Sequence, residues 1–125
     1  MVKDRRKHKR ASLEIPLDMH SSDAKHKSFT AKTINLSAGG FYCKVPFFIP
    51  LLTKLRISMV VPMRQARGKE QDHVVSCGGM VVRTVPEKPK PAIKGYEIGC
   101  FFTDIDDYDR LIIEQYLVER SLSQR

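Results

Sequence analysis

Arg5, Arg6 and Arg10 stand within the first ten residues of the chain, beside Lys3, Lys7 and Lys9. A guanidinium presents a planar fork that matches a phosphate, or the O6/N7 edge of guanine, with two parallel hydrogen bonds, and it stacks on flat rings. Arg6 and Arg10, spaced R-x-x-x-R, can address two groups of one ligand. Further along, Asn35-Leu36-Ser37-Ala38-Gly39-Gly40 sets an amide, a hydroxyl and two glycines at N-x-S-x-x-G spacing. Asn35 offers an amide for a purine edge or for backbone caps, and Ser37 can donate or accept. The glycines let a ligand approach the backbone, and successive N–H groups in such a turn make an anion-binding concavity. Taken singly, each element has a plainer reading. The arm is a solvated basic tail, and the N-x-S-x-x-G segment is an Asx/Ser turn joining two strands.

Charge distribution sharpens the first of these. The net charge is +8, and residues 1–10 alone hold six Lys/Arg against Asp4, which is +5; the remainder, with sixteen basic and thirteen acidic residues, carries +3. A basic arm on a nearly balanced body points to a localised anionic partner rather than to a wide nucleic-acid-binding face. The 125 residues fit one domain, residues 1–125, and 42% hydrophobic content is enough for a core. No apolar run approaches the length of a membrane span, and no apolar stretch follows the charged N-terminus as a secretory signal would require. Cys43, Cys77 and Cys100 are odd in number and lie in apolar segments, which suits reduced core thiols in a cytoplasmic protein.

The elements that must position the two motifs read as follows. After an arm over residues 1–11, a barrel is expected over 12–103 and a C-terminal helix over 104–122. Leu13, Ile15 and Leu17 alternate with polar residues as a first strand, with Pro16 marking an edge or a bulge. A turn over residues 20–27 leads to a second strand through Phe29, Ala31 and Thr33, which ends in the polar turn at Asn35. Gly40 opens a third strand, closed by Pro46. Residues 54–61, 72–85 and 93–102 supply three more, with Gly78-Gly79 suggesting a bulge or a barrel corner. Ile105, Tyr108, Ile112 and Tyr116 then recur at helical spacing, with Asp104, Asp106, Asp107 and Asp109 in the first turn. Six short strands with hairpin turns hide their edges by closing, so a six-stranded antiparallel barrel with its helix across one mouth is expected.

Catalytic and metal chemistry finds no constellation here. His8, His20, His26 and His73 form no H-E-x-x-H, there is no C-x-x-C, and neither a phosphate loop nor a G-x-S-x-G elbow occurs. Phe47 and Phe48, set between prolines, read as packing rather than as a stacking platform.

The ordered pair of motifs resembles the PilZ domain family, whose signature is R-x-x-x-R followed by [D/N]-x-S-x-x-G. Gly79-Met80-Val81-Val82-Arg83 resembles its G-x-V-V-R strand, and Gly99-Cys100-Phe101-Phe102 with Leu111 and Tyr116-Leu117 resembles its last strand and helix. The resemblance covers nearly the whole chain. It implies a six-stranded barrel with a C-terminal helix and a non-enzymatic receptor for cyclic diguanylate (c-di-GMP). By the same resemblance, Arg6 and Arg10 would grip phosphates and guanine faces, Asn35 and Ser37 would bond a guanine edge, and Gly40 would keep the surface clear. Arg5 would meet a second base and favour a stacked pair of ligands. Arg83 would add a cation only if its strand faced the site; its plainer reading is a solvent-facing strand residue.

On this reading, ligand phosphates neutralise the arm, fold it against the turn, and create a surface that an effector protein reads. Two other functions stand beside it: a ligand-free PilZ-like adaptor, and a small basic barrel that binds RNA or single-stranded DNA. Aromatic content of 8% without tryptophan argues against the nucleic-acid barrel. The partners expected are therefore c-di-GMP and an effector, with no DNA or RNA and no membrane insertion.

Overall fold

The computed structural model describes residues 14–21, 28–64 and 68–123. Six strands and a helix follow one another: β1 (Pro16–Ser21), β2 (Ser28–Ser37), β3 (Gly40–Val45), β4 (Lys54–Arg64), β5 (Glu70–Val85), β6 (Tyr96–Asp104) and α1 (Asp107–Ser123). The strands close into an antiparallel barrel in the order β1-β2-β3-β6-β5-β4. Closure follows from the sequence pattern. Apolar residues fall mostly at alternate positions along each strand, and a ring of such strands buries that face while leaving no edge unpaired.

Ile15, Leu17, Met19, Leu36, Val61, Val75, Val81 and Ile98 fill the interior and are almost fully buried. Ile112, Ile113 and Tyr116 of α1 belong to the same core cluster. The helix packs against β2, β4 and β5 across one end of the barrel. Burying those three side chains contributes roughly 5 kcal/mol. That is comparable with the whole net stability of a small domain, so the helix is a structural member. Phe47 packs edge-on against Phe29, and Phe48 against Tyr96, at ring separations of 5.0 and 5.7 Å, as packing residues do.

Several boundaries differ from the sequence reading. Pro16 marks neither an edge nor a bulge: it is the first residue of β1, paired with Lys32 of β2 before the β4 pairing begins at Leu17, so its missing N–H costs nothing. Strand β1 continues through His20 and Ser21, and β4 runs on to Arg64, because long hairpins keep pairing past the apolar stretch. Asp104 ends β6, where it pairs with Arg56 (3.4 Å), and is not in the helix; the carbonyl of Asp106 accepts the first helical hydrogen bond, from the Arg110 N–H. Asp109 meets His73 at 3.3 Å. Tyr108 lies outside the buried stripe and is largely exposed.

The cysteines are free thiols in the barrel wall. Burial pushes Cys43 up to about 12 and Cys77 up to about 11, and raises Cys100 still further. An unfolded chain ionises its thiols from the ordinary value of 9.0, while the folded barrel keeps them protonated. The unfolded state therefore loses protons first, and this contribution to stability is complete below about pH 9 and declines as pH rises through the folded values. Urea midpoints are expected to fall between about pH 8 and 10.5, less steeply in a Cys43→Val variant. A slope unchanged by the substitution contradicts this.

Candidate functional site

The outer face of the barrel over β2, β3, β6 and β5 carries the site, and two irregularities in the ladders create it. Thr33 pairs with Cys43, yet Asn35 pairs with Tyr42, so Ile34 is an extra residue in β2. Likewise Val81 pairs with Cys100 and Arg83 with Gly99, so Val82 is an extra residue in β5. Side chains alternate between faces, and one extra residue inverts the alternation beyond it. Thr33 and Val81 point inward and are buried. Without the bulges Asn35 and Arg83 would share that inward face; with them, both turn outward.

The result is a row of cross-strand neighbours on the outer face, Asn35–Tyr42–Gly99–Arg83, one residue from each of four strands. A second row beside it reads Ser37–Gly40–Phe101–Met80. The glycines shape the floor between the rows. A Cβ on Gly99 would meet the Tyr42 ring at 2.6 Å, so the ring lies down over that glycine. A Cβ on Gly40 would collide with the carbonyl oxygen of Cys100. Gly40 is therefore required by the approach of β3 to β6, whatever part it also has in keeping a ligand surface clear.

Asn35 and Ser37 sit at the end of β2, and the turn proper is Ala38-Gly39. The bulge returns Leu36 to the core, and that burial holds the strand together past Asn35. The Ser37 hydroxyl accepts from the Gly39 N–H at 3.1 Å and donates to the Gly40 carbonyl at 3.3 Å. Its single proton is used within the turn, so towards a ligand Ser37 can only accept. The Gly39 carbonyl accepts from the Phe102 N–H (3.0 Å), which ties the turn to β6. Asn35 Oδ1 is buried, and among the described residues no donor meets it. A buried acceptor left this way costs about 1–3 kcal/mol until a donor arrives.

A groove of about 680 Å³ opens over this surface, lined by Ser37, Gly39, Tyr42, Arg83, Phe101 and Arg110 among others. That volume lies in the range of ~300–1,000 Å³ typical of ligand sites. Two guanidinium groups and two aromatic rings suit a flat anion. Of the residues singled out from sequence, Ser37 and Gly40 line the groove and Asn35 adjoins it beside Tyr42. Arg5, Arg6 and Arg10, and with them the ordering of the arm, lie outside the described residues. Arg83, which the plainer sequence reading left in solvent, lines the groove. The sequence points to neither Arg110 nor Tyr42 as a site residue and to Phe101 only as part of the last-strand motif; its one signal for Arg110 is a lone cation beside a helix's apolar positions. A second concavity of about 380 Å³ over β1, β2 and β4, lined by Asp18, His20, Arg56 and Ser58 among others, contains none of the motif residues. Among the described residues no cluster of three His, Cys, Asp or Glu is placed to hold a metal, and no helix is long and apolar enough to cross a membrane.

Comparison with known proteins gives one family, described as PilZ domain, matching residues 4–119. No curated protein sequence matches the chain. Among solved structures, the Bacillus subtilis inhibitor of motility (MotI/DgrA) is similar with a TM-score of 0.76 and 17% identity, over 98% of this chain and 54% of that one. The Klebsiella pneumoniae MrkH–c-di-GMP complex gives 0.67 and 17%, over 98% and 54%. The PilZ domain of Escherichia coli YcgR with c-di-GMP gives 0.61 and 14%, over 97% and 96%. The chain thus spans about half the length of the first two. At these identities the likeness is one of fold.

Replacing Gly40 by alanine is expected to lower folding stability by about 2–3 kcal/mol, because the clash is with backbone and cannot be relieved by a rotamer change. A denaturant midpoint that does not move contradicts this geometry.

Proposed function

The chain belongs to the PilZ domain family, and from that premise we propose that it is a non-enzymatic receptor for c-di-GMP, which it binds in the groove over β3, β5 and β6. The observation that carries the reading is the convergence of Arg83, Arg110, Tyr42 and Phe101 around the Ser37–Gly40 turn. The ligand offers two phosphates and two guanines. Arg6 and Arg10 of the R-x-x-x-R arm, with Arg83 and Arg110 from the barrel, supply guanidinium groups for the phosphates and for the guanine O6/N7 edges. A guanine face can stack on Tyr42 or Phe101. Guanine N1–H and the exocyclic amine are donors; the remaining lone pair of Ser37 can accept from one, and Asn35 Oδ1 from the other once its side chain turns from its buried position toward the groove. Two c-di-GMP-bound structures, those of MrkH and of the YcgR PilZ domain, have the same fold and support the choice of ligand.

In this reading ligand binding brings the arm to the groove and changes the surface there, and an effector protein responds to that change. The domain works in the cytoplasm, where the ligand would be met, and takes up neither DNA nor RNA. Arg5 engages a second ligand molecule stacked on the first.

Calorimetric titration tests this. c-di-GMP is expected to bind, whereas GTP, with one guanine, and cyclic diadenylate, without guanine edges, bind at least about tenfold more weakly. Arg6→Ala with Arg10→Ala is expected to lose about a hundredfold or more, and Arg83→Ala about tenfold, since each contact to a charged group contributes roughly 1.5–3 kcal/mol. Two ligands per chain, falling to one in Arg5→Ala, is the stoichiometry expected; one per chain in both refutes the stacked pair. Equal affinity for all three nucleotides overturns the reading as a whole. For the arm, hydrogen exchange is expected to slow over residues 1–11 on adding c-di-GMP, and equal protection in both states refutes the ordering.

A further inference from the structure

Helix α1 has two apolar faces, and the barrel uses one. Ile112, Ile113 and Tyr116 are buried against the strands. Tyr108, Leu111, Val118 and Leu122 are each more than half exposed. With Gln115 between them they recur at steps of three, four, three and four residues. At 100° per residue these five positions fall within about 80° of arc, a narrow stripe roughly 21 Å long; Tyr108 at its edge rests edge-on against His73 of β5 at 5.5 Å, and the others lie further from the core. Alternating steps of three and four are the spacing of a helix–helix seam. None of the six strands covers these residues, and the stripe runs nearly the length of the helix.

The borders of the stripe say which body. Asp107 and Glu114 follow one side and Glu119 the other, while the helix's two cations point elsewhere. Arg110 lines the groove, and Arg120 sits over the Tyr116 ring at 5.7 Å. An apolar seam bordered by carboxylates, on a chain of net charge +8, is selective in sign. A second copy would set Asp107, Glu114 and Glu119 near one another across the seam, which is unfavourable. Anionic lipid surfaces and nucleic acids are repelled for the same reason.

We propose that the outer face of α1 is a docking surface for an amphipathic helix of a different protein, with aliphatic residues at three-four spacing flanked by Lys or Arg. Aliphatic side chains of the partner pack between Leu111, Val118 and Leu122. Its cations reach Asp107, Glu114 and Glu119, and Gln115 is the polar position that fixes register. The surface exists without nucleotide, so the inference stands apart from the ligand assignment.

Two synthetic helical peptides of about three heptads, identical in their leucine seam but flanked by lysine in one and glutamate in the other, provide the test on the full chain without nucleotide. Fluorescence anisotropy is expected to give at least about tenfold tighter binding of the lysine peptide, with the difference shrinking as salt is raised. Leu111→Glu and, separately, Val118→Glu are each expected to weaken that binding about tenfold or more, with melting temperatures showing the variants folded. Three results overturn the proposal: no binding of either peptide, equal binding of both, or sedimentation showing a dimer that Leu111→Glu dissociates.

Discussion

A β-strand presents successive side chains to opposite faces, and in a closed barrel one of those faces is the core. That constraint leaves no freedom about where a residue points unless a residue is inserted. Ile34 and Val82 are such insertions, and everything about the site follows from them. Each lets a hydrophobic run continue in register with the core on both sides of the bulge while turning one polar residue outward. Thr33 and Leu36 are both inside with Asn35 outside; Val81 and Thr84 are both inside with Arg83 outside. The two re-aimed residues then fall on the same cross-strand row, joined through Tyr42 and Gly99. A strand without its bulge would have to bury an amide or a guanidinium in the barrel, at a cost of several kcal/mol.

The same economy of faces governs the helix. Its inner side completes the core, Arg110 reaches the rim of the groove, and its outer stripe is left to solvent with carboxylate borders. One element therefore touches the core, the groove and the protein surface. The hairpin between β2 and β3 is equally constrained: the Ser37 hydroxyl closes the turn, the Gly39 carbonyl binds it to β6, and Gly40 is the only residue type that fits against Cys100. A groove built on such a turn is preorganised, because its backbone cannot move without breaking the barrel seam.

Alternation made the barrel readable, since Leu17, Cys43, Ile57 and Ile98 announce their faces by period alone. Of the residues that carry the family resemblance, Ser37, Gly40, Arg83 and Phe101 line one groove, Asn35 stands beside it, and Arg6 and Arg10 lie outside the described residues. What could not be read was anything that depends on register between strands. A bulge leaves no mark in a hydrophobic pattern that already tolerates Ile34 and Val82 on either face, so Asn35 looked like a turn residue and Arg83 like a bystander. The irregularity expected at Gly78-Gly79 is there, but the extra residue is Thr103 of the facing strand β6. Asp104 was misplaced because a carboxylate near a helix start and one at a strand end look alike until Arg56 is seen opposite. Helical spacing groups Tyr108 with Ile112 and Tyr116, but a helix with apolar residues on two sides has two stripes, and spacing does not say which of them meets the barrel.

Everything proposed for the groove turns on whether c-di-GMP meets the barrel there. Amide chemical-shift mapping during a titration addresses that without any mutation. The prediction is that shifts concentrate at Ser37, Gly39, Tyr42, Arg83, Phe101 and Arg110, while Asp18, Ser58 and Ser76 on the far side hold still. Shifts confined to that far side, or none at saturating nucleotide, would contradict it.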